Sequence, residues 1–260
     1  LTALISMIVG LVAVIYSFIA TPSSVADLHQ VGEAAHDPAH LEHMLHMLQN
    51  KPWAALYVAA LFFLLISLGV LAFYAINRAA QAGWAPILFR VMEGITGYLP
   101  VGALIFFVLL VCSGLHLNHL FIWMDPQVVA HDTVIQGKTG YLNVPMFLVR
   151  AAVYLLGWIA YRQITRKLSL QQDEATDNRP FIKAFKWSAG FLVFFLVTES
   201  MMSWDWVMSV DPHWFSTLFG WYVFGSLITS AIAAIILVTV TLKAQGYLQQ
   251  VNDRDRKSVV

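Results

Sequence analysis

A chain of 260 residues with 59% hydrophobic and 12% charged side chains, at a mean hydropathy of +0.69, falls far short of the roughly 25% charge of a soluble domain. Fifteen basic and fifteen acidic residues balance to zero, which speaks against the basic footprint of a nucleic-acid binder, so no nucleic-acid partner is expected. The single cysteine, Cys112, lies in an apolar run and no C-x-x-C-H occurs, which excludes an intrachain disulfide and any thiolate zinc, iron–sulfur or c-type haem centre held by this chain alone. A redox centre would have to be a haem b, a diffusible quinone or the property of a partner.

A helix that crosses the hydrocarbon needs about 20 mostly apolar residues, with every backbone group bonded internally. Six stretches meet that demand: Leu1 to Ala20, Trp53 to Ala75, Leu99 to Trp123, Val144 to Tyr161, Trp187 to Met208 and Phe215 to Leu242. The expected fold is an all-α integral membrane protein of about six transmembrane helices. The first stretch is read as a retained helix, residues 1–20, in preference to a signal peptide's apolar core, because it is long and no clear small-x-small cleavage site follows. Residues 21–52 then form a His-rich loop: Pro22-Ser23-Ser24 can start a helix, Pro38 interrupts the pattern, and a regular run spans Leu41 to Gln49. Between the second and third spans, Trp84 to Met92 has an amphipathic pattern suited to the membrane interface.

Lys and Arg are distributed asymmetrically, and that bias sets orientation. Arg78 and Arg90 lie between spans two and three; Arg162, Arg166, Lys167, Arg179, Lys183 and Lys186 between four and five; Lys243 and Arg254 after six. The alternate loops carry only Lys51 and Lys138. The N-terminus and the basic loops are therefore expected in the cytoplasm and the His-rich loop outside. Both ends look cut: Leu1 opens in mid-run without Met or a charged leader, and Asp255 to Val260 matches one translated frame of a widely used sequencing adaptor. Residues 251–260 are thus expected to be a polar tail whose last six residues are artefactual, the alternative being a genuine short tail.

Candidate functional residues concentrate at the outer end. Of the cluster His29, His36, His40, His43 and His46, His40 and His43 have the i,i+3 spacing that brings two imidazoles together, making them weak metal candidates against a solvated, proton-buffering segment. His116 and His119 are expected on one face of one helix, an arrangement that cannot ligate both faces of a single haem; interhelical bonding and a quinol or proton site are both open. Arg150, Glu199 and Asp205 are ionisable groups within spans, joined by Asp125 near the boundary, and Arg150 is expected to pair with Glu199 or Asp205. Glu199, with Asp205 or His116 as the next station, is a candidate for proton movement. The run from Glu199 to Phe215 places Trp204, Trp206 and Trp214 at the outer interface, with Asp211-Pro212 as a turn and His213 beside it.

That run, continued by Ser216-Thr217-Leu218-Phe219-Gly220-Trp221-Tyr222, resembles the ActF-type membrane subunits of alternative complex III. So do Leu48-Gln49-Asn50-Lys51-Pro52-Trp53, Phe89-Arg90-Val91-Met92-Glu93-Gly94-Ile95, Gly114-Leu115-His116-Leu117-Asn118-His119 and Lys186-Trp187-Ser188-Ala189-Gly190. The likeness extends from about Lys51 to Tyr247 and points to the NrfD-like, polysulfide-reductase-type membrane family. It implies two four-helix bundles with flanking helices, of which residues 53–208 would form the first and 209–250 begin the second, the remaining spans being truncated. It also implies a subunit in the bacterial inner (cytoplasmic) membrane of a quinol:cytochrome c oxidoreductase, working with menaquinone or another quinone. Its partners would be multihaem cytochrome c, iron–sulfur and NrfD-like subunits, and no haem or iron–sulfur centre is expected to be ligated by this chain.

In such complexes another NrfD-like subunit is the stronger candidate for quinol oxidation, and the ActF type is associated with proton transfer or support. The catalytic candidates Glu199, Asp205, His116 and Arg150, and the candidate quinone neighbours His119 and Trp204, therefore rest on this sequence alone. Two other functions compete: a structural anchor for extracytoplasmic haem and iron–sulfur subunits, and, ranked last, a secondary transporter.

Overall fold

A computed structural model describes residues 2–22 and 38–248, with side chains from residue 5 in the first segment and from residue 44 in the second. His29, His36 and the tail 251–260 lie outside the described residues, as do the side chains of His40 and His43. The described chain is all-α: α1 (Thr2–Ile19), α2 (Pro38–Ala79), α3 (Pro86–Ile95), α4 (Leu99–Gly114), α5 (Pro126–His131), α6 (Thr133–Gln136), α7 (Val144–Glu174), α8 (Arg179–Met202) and α9 (Phe219–Ala244). Five segments are long and apolar enough to cross a membrane: Met44–Ala79, Pro86–Gly114, Val144–Glu174, Arg179–Val210 and Phe219–Ala244. They correspond to the second to sixth apolar stretches of the sequence. The first stretch forms the 18-residue helix α1, whose described side chains are mostly exposed.

Three boundaries differ from expectation, each for a local reason. The run from Leu41 to Gln49 is not a separate short helix, because α2 passes unbroken through Pro52. Proline costs an interior helix one hydrogen bond, a cost that membrane helices tolerate when neighbours re-satisfy the freed group. The segment from Trp84 to Met92 does not lie alone in the interface: α3 buries Leu88, Phe89, Val91, Met92 and Glu93 and continues through a 3-10 turn at Thr96–Tyr98 into α4. The third span stops at Gly114 rather than Trp123. There the Leu117 N–H reaches the Cys112 carbonyl and the His116 N–H the Ser113 carbonyl, both at 3.0 Å, with His116 in the left-handed region at φ 58°. This is a Schellman cap with histidine in the place that glycine usually takes.

The central helix is α2, which packs against α4, α8 and α9, while α7 packs along α8. Close approach of α2 and α9 requires Gly69, where a Cβ would stand 2.6 Å from the Leu227 carbonyl oxygen; small residues at crossing points are the usual way for membrane helices to meet. The core runs through Leu64, Leu68, Phe106, Phe147, Trp158 and Trp206. Outward, Phe62, Leu104, Val108, Val153, Leu156, Val193 and Leu237 are exposed and apolar, the surface that lipid requires of a spanning bundle. With Cys112 replaced by Ala, a cysteine introduced at Asp211 is expected to react with an impermeant reagent from outside and one at Arg166 from the cytoplasm. Labelling of both from one side would contradict these spans.

Candidate functional site: buried charge at two ends of the bundle

At one end, the Asn143 side chain caps α7 by accepting the Met146 N–H at 3.0 Å, and the second turn carries Arg150 toward α8. The chain after α8 winds as a π-helical turn, Ser203–Val207. A π-turn inserts one residue into the helical register, and here Asp205 and Trp206, adjacent in sequence, are both wholly buried. Arg150 forks onto the Asp205 carboxylate, Nε to Oδ2 and Nη2 to Oδ1 each at 2.9 Å. Its Nη1 donates to the Tyr141 carbonyl at 3.1 Å, and its guanidinium lies 3.9 Å from the centre of the Tyr141 ring. The Tyr154 hydroxyl donates to Asp205 Oδ2 at 3.0 Å. Bidentate pairing with further hydrogen bonds offsets the desolvation of a carboxyl group at 0% exposure, such as Asp205. In the loop before α7, burial first and the Asp205 charge second push the Tyr141 phenol above its ordinary pKa.

The expected partner choice is thereby resolved: Arg150 pairs with Asp205. Glu199, at 2% exposure, lies within α8, and its Oε1 has no hydrogen-bond partner among protein atoms. Trp206 interlocks the same region, its carbonyl accepting the Tyr57 hydroxyl at 2.7 Å. Below it the Trp158 indole N–H donates to Thr198 Oγ1 at 3.0 Å, and the Tyr161 and Ser188 hydroxyls meet at 2.8 Å. Arg150, Tyr154, Trp158, Tyr161 and Thr165 recur at spacings of three or four along α7, so they share one helix face. That face places a line of hydrogen-bonding groups against α8.

At the opposite end, Glu93 forms a hub that sequence reasoning did not single out. It accepts from Arg90 Nη1 at 3.0 Å, from the Tyr74 hydroxyl at 3.2 Å and from Arg166. Arg78 Nε donates to the Tyr74 hydroxyl at 3.1 Å while its guanidinium covers the Phe89 ring at 4.2 Å, and Arg90 also reaches Asp173. The available signal was that Glu93 is the one acidic residue between Pro86 and Gly114, three positions after Arg90. A Glu93→Leu change removes the shared acceptor of α2, α3 and α7. Arg90 and Arg166 are more than a third exposed and can turn to water, so the expected loss is about 1–3 kcal/mol, that of orphaning buried donors. Thermal melting in detergent measures it, and an unchanged melting temperature would show that the hub carries no load.

The remaining candidates are scattered. His116 and His119 do not share a helix face, since the helix ends before them: His116 is the exposed left-handed cap. The His119 main chain is clamped by Asn50, with the His119 N–H donating to Asn50 Oδ1 at 2.8 Å and Asn50 Nδ2 donating to the His119 carbonyl at 3.2 Å. The His119 ring lies 4.9 Å from that of His46, edge on. Trp204 sits partly exposed on the outer side of the π-turn. Asp125 is a helix cap, accepting the Gln127 N–H at 2.8 Å. His213 Nε2 lies 2.6 Å from Asp132 Oδ2, and Asp132 also caps α6; the Ile135 N–H, with His213 adding to it, holds the Asp132 carboxyl below its ordinary pKa.

Among the described residues, no group of three or more His, Cys, Asp or Glu side chains is close enough to hold a metal ion. The fold and these clusters define the class: an all-α, multi-pass membrane protein with ionisable side chains buried in its bundle. Comparison with known proteins found no matching family model and no matching curated protein.

Proposed function

We propose that this chain is a membrane subunit of a quinol-oxidising respiratory complex of the alternative complex III type, contributing to quinol or proton handling in the bacterial cytoplasmic membrane. The observation that carries the reading is the series of buried proton-bearing side chains in an otherwise apolar bundle. It runs from Arg150–Asp205–Tyr154 through Trp158–Thr198 and Tyr161–Ser188, and the Tyr74–Glu93 pair stands at the other end. Ionisable groups inside membrane segments are expensive and are retained where ions or protons are handled. The quoted motifs around Glu93, His116 and Asp205 supply the family part of the proposal.

An anchoring role has its own support in the exposed aromatic rim of Trp214, Phe215, Trp221 and Tyr222 at the Asp205 end, a surface suited to lipid headgroups or to docked subunits. Purification of the native assembly under mild detergent tests the proposal. Multihaem cytochrome c and iron–sulfur proteins are expected to co-elute with this chain, and the assembly is expected to reduce cytochrome c with quinol. Elution of the chain without any redox partner would overturn it.

A further inference from the structure

A cavity of about 270 Å3 opens at the Asp205 end between α1, the Gln49 to Trp53 stretch of α2 and the loop that follows α4. Its walls differ in chemistry. On one side Phe18 of α1 and Trp53 of α2 meet edge to face, ring centres 5.2 Å apart. On the other stand Asn118 and His119.

Asn118 is 5% exposed, and its amide orientation is fixed by its neighbours. The Leu120 N–H, which can only donate, points at Asn118 Oδ1 at 3.3 Å, and the Ser113 hydroxyl donates to the same oxygen at 2.9 Å. That leaves Nδ2 as a buried donor with no partner among protein atoms. A buried amide N–H without an acceptor is costly, and such groups are ordinarily satisfied by a ligand or an ordered water. The adjoining His119 imidazole is presented by a main chain held at both its N–H and its carbonyl by Asn50.

We infer that this cavity binds the head group of a membrane quinol or quinone, with Asn118 Nδ2 donating to one ring oxygen and His119 facing the polar edge. The inference rests on the quinol reading above and gives it a location. A planar ring with oxygen substituents matches an apolar aromatic wall opposite a donor and an imidazole. The volume lies just below the roughly 300–1,000 Å3 typical of sites that enclose a whole drug-sized ligand, so it suits a head group whose isoprenoid tail stays outside. Leu117 lines the cavity and is exposed and apolar, as are Ile15 and Ile19 on α1, the helix that supplies Phe18; together they offer the tail a path to lipid.

The test is photoaffinity labelling of the intact complex in lipid nanodiscs with an azidoquinone, followed by peptide mapping. Adducts are expected on segments 17–22, 49–53 or 117–119, displaced by short-chain quinol and reduced at least tenfold by Asn118→Leu. Because Asn118 also braces the end of α4, His119→Phe serves as a second variant; the Asn50 clamp on its backbone is untouched, and it should lower labelling with an unchanged melting temperature. Displacement by excess anionic phospholipid but not by quinol would overturn the inference in favour of a lipid head group. Adducts confined to another subunit, with both variants turning over normally, would overturn the location while leaving the quinol function standing. No specific adduct anywhere in an assembly that lacks redox partners would overturn both.

Discussion

An Arg150→Leu variant is expected to lose about 3–5 kcal/mol of stability, the cost of leaving one member of a buried ion pair uncompensated. Asp205 would keep the Tyr154 hydroxyl at 3.0 Å but lose both arms of the guanidinium fork, and at 0% exposure it has no water to turn to. Arg150, at 12% exposure, is almost as enclosed. Arg150→Lys should recover only part of the loss, since an ammonium is a point charge and cannot reproduce two parallel bonds. The double change Arg150→Leu with Asp205→Leu should be milder than Arg150→Leu alone, because it strands neither charge. Unfolding in detergent by heat or by titrated denaturant measures all three. Equal melting of the wild type and Arg150→Leu would mean that the pair contributes nothing to holding the π-turn against α7.

The five long spans were legible because hydropathy over about 20 residues dominates any local detail, but their ends were not. Leu115 to Trp123 stays largely apolar, so composition did not reveal that α4 stops at Gly114; the stop is a backbone event, the left-handed His116 and its Schellman bonds. The second span errs in the other direction: Leu41 to Gln49 reads as part of a loop ahead of a span from Trp53, yet one helix runs through both and through Pro52, which neighbouring helices can support. Arg150 was recognised as one half of a pair with two candidate partners. What selects Asp205 over Glu199 is the π-turn, a register shift that no residue spacing announces. The Glu93 hub was hidden because Arg78, Arg90 and Arg166 were read as loop charges that set orientation. Their convergence depends on α3 running on into α4 and packing beside α2 and α7. Tyr154, Trp158 and Tyr161 carry no motif that sets them apart within an apolar span, and only contact geometry turns their polar ends into a continuous face of α7.

The central claim is that buried carboxyl groups here serve proton or quinol chemistry as well as packing, and Glu199 is where that claim stands most exposed. Unlike Asp205, whose carboxylate is engaged by Arg150 and Tyr154, Glu199 leaves Oε1 without a partner inside the bundle. A group that served packing alone has no use for an acid at 2% exposure, where an amide of the same shape would avoid the cost of burying charge. Glu199→Gln keeps that shape and its hydrogen-bonding capacity and removes titration. The decisive measurement is quinol-dependent cytochrome c reduction and proton release by the purified complex, across pH, for wild type and Glu199→Gln. The variant is expected to assemble and melt as the wild type does, while turnover or proton release falls by at least about tenfold, within the contribution of about 10²–10⁴ that a positioned acid or base supplies. Wild-type turnover and proton yield at every pH would contradict the claim and reduce Glu199 to a structural residue.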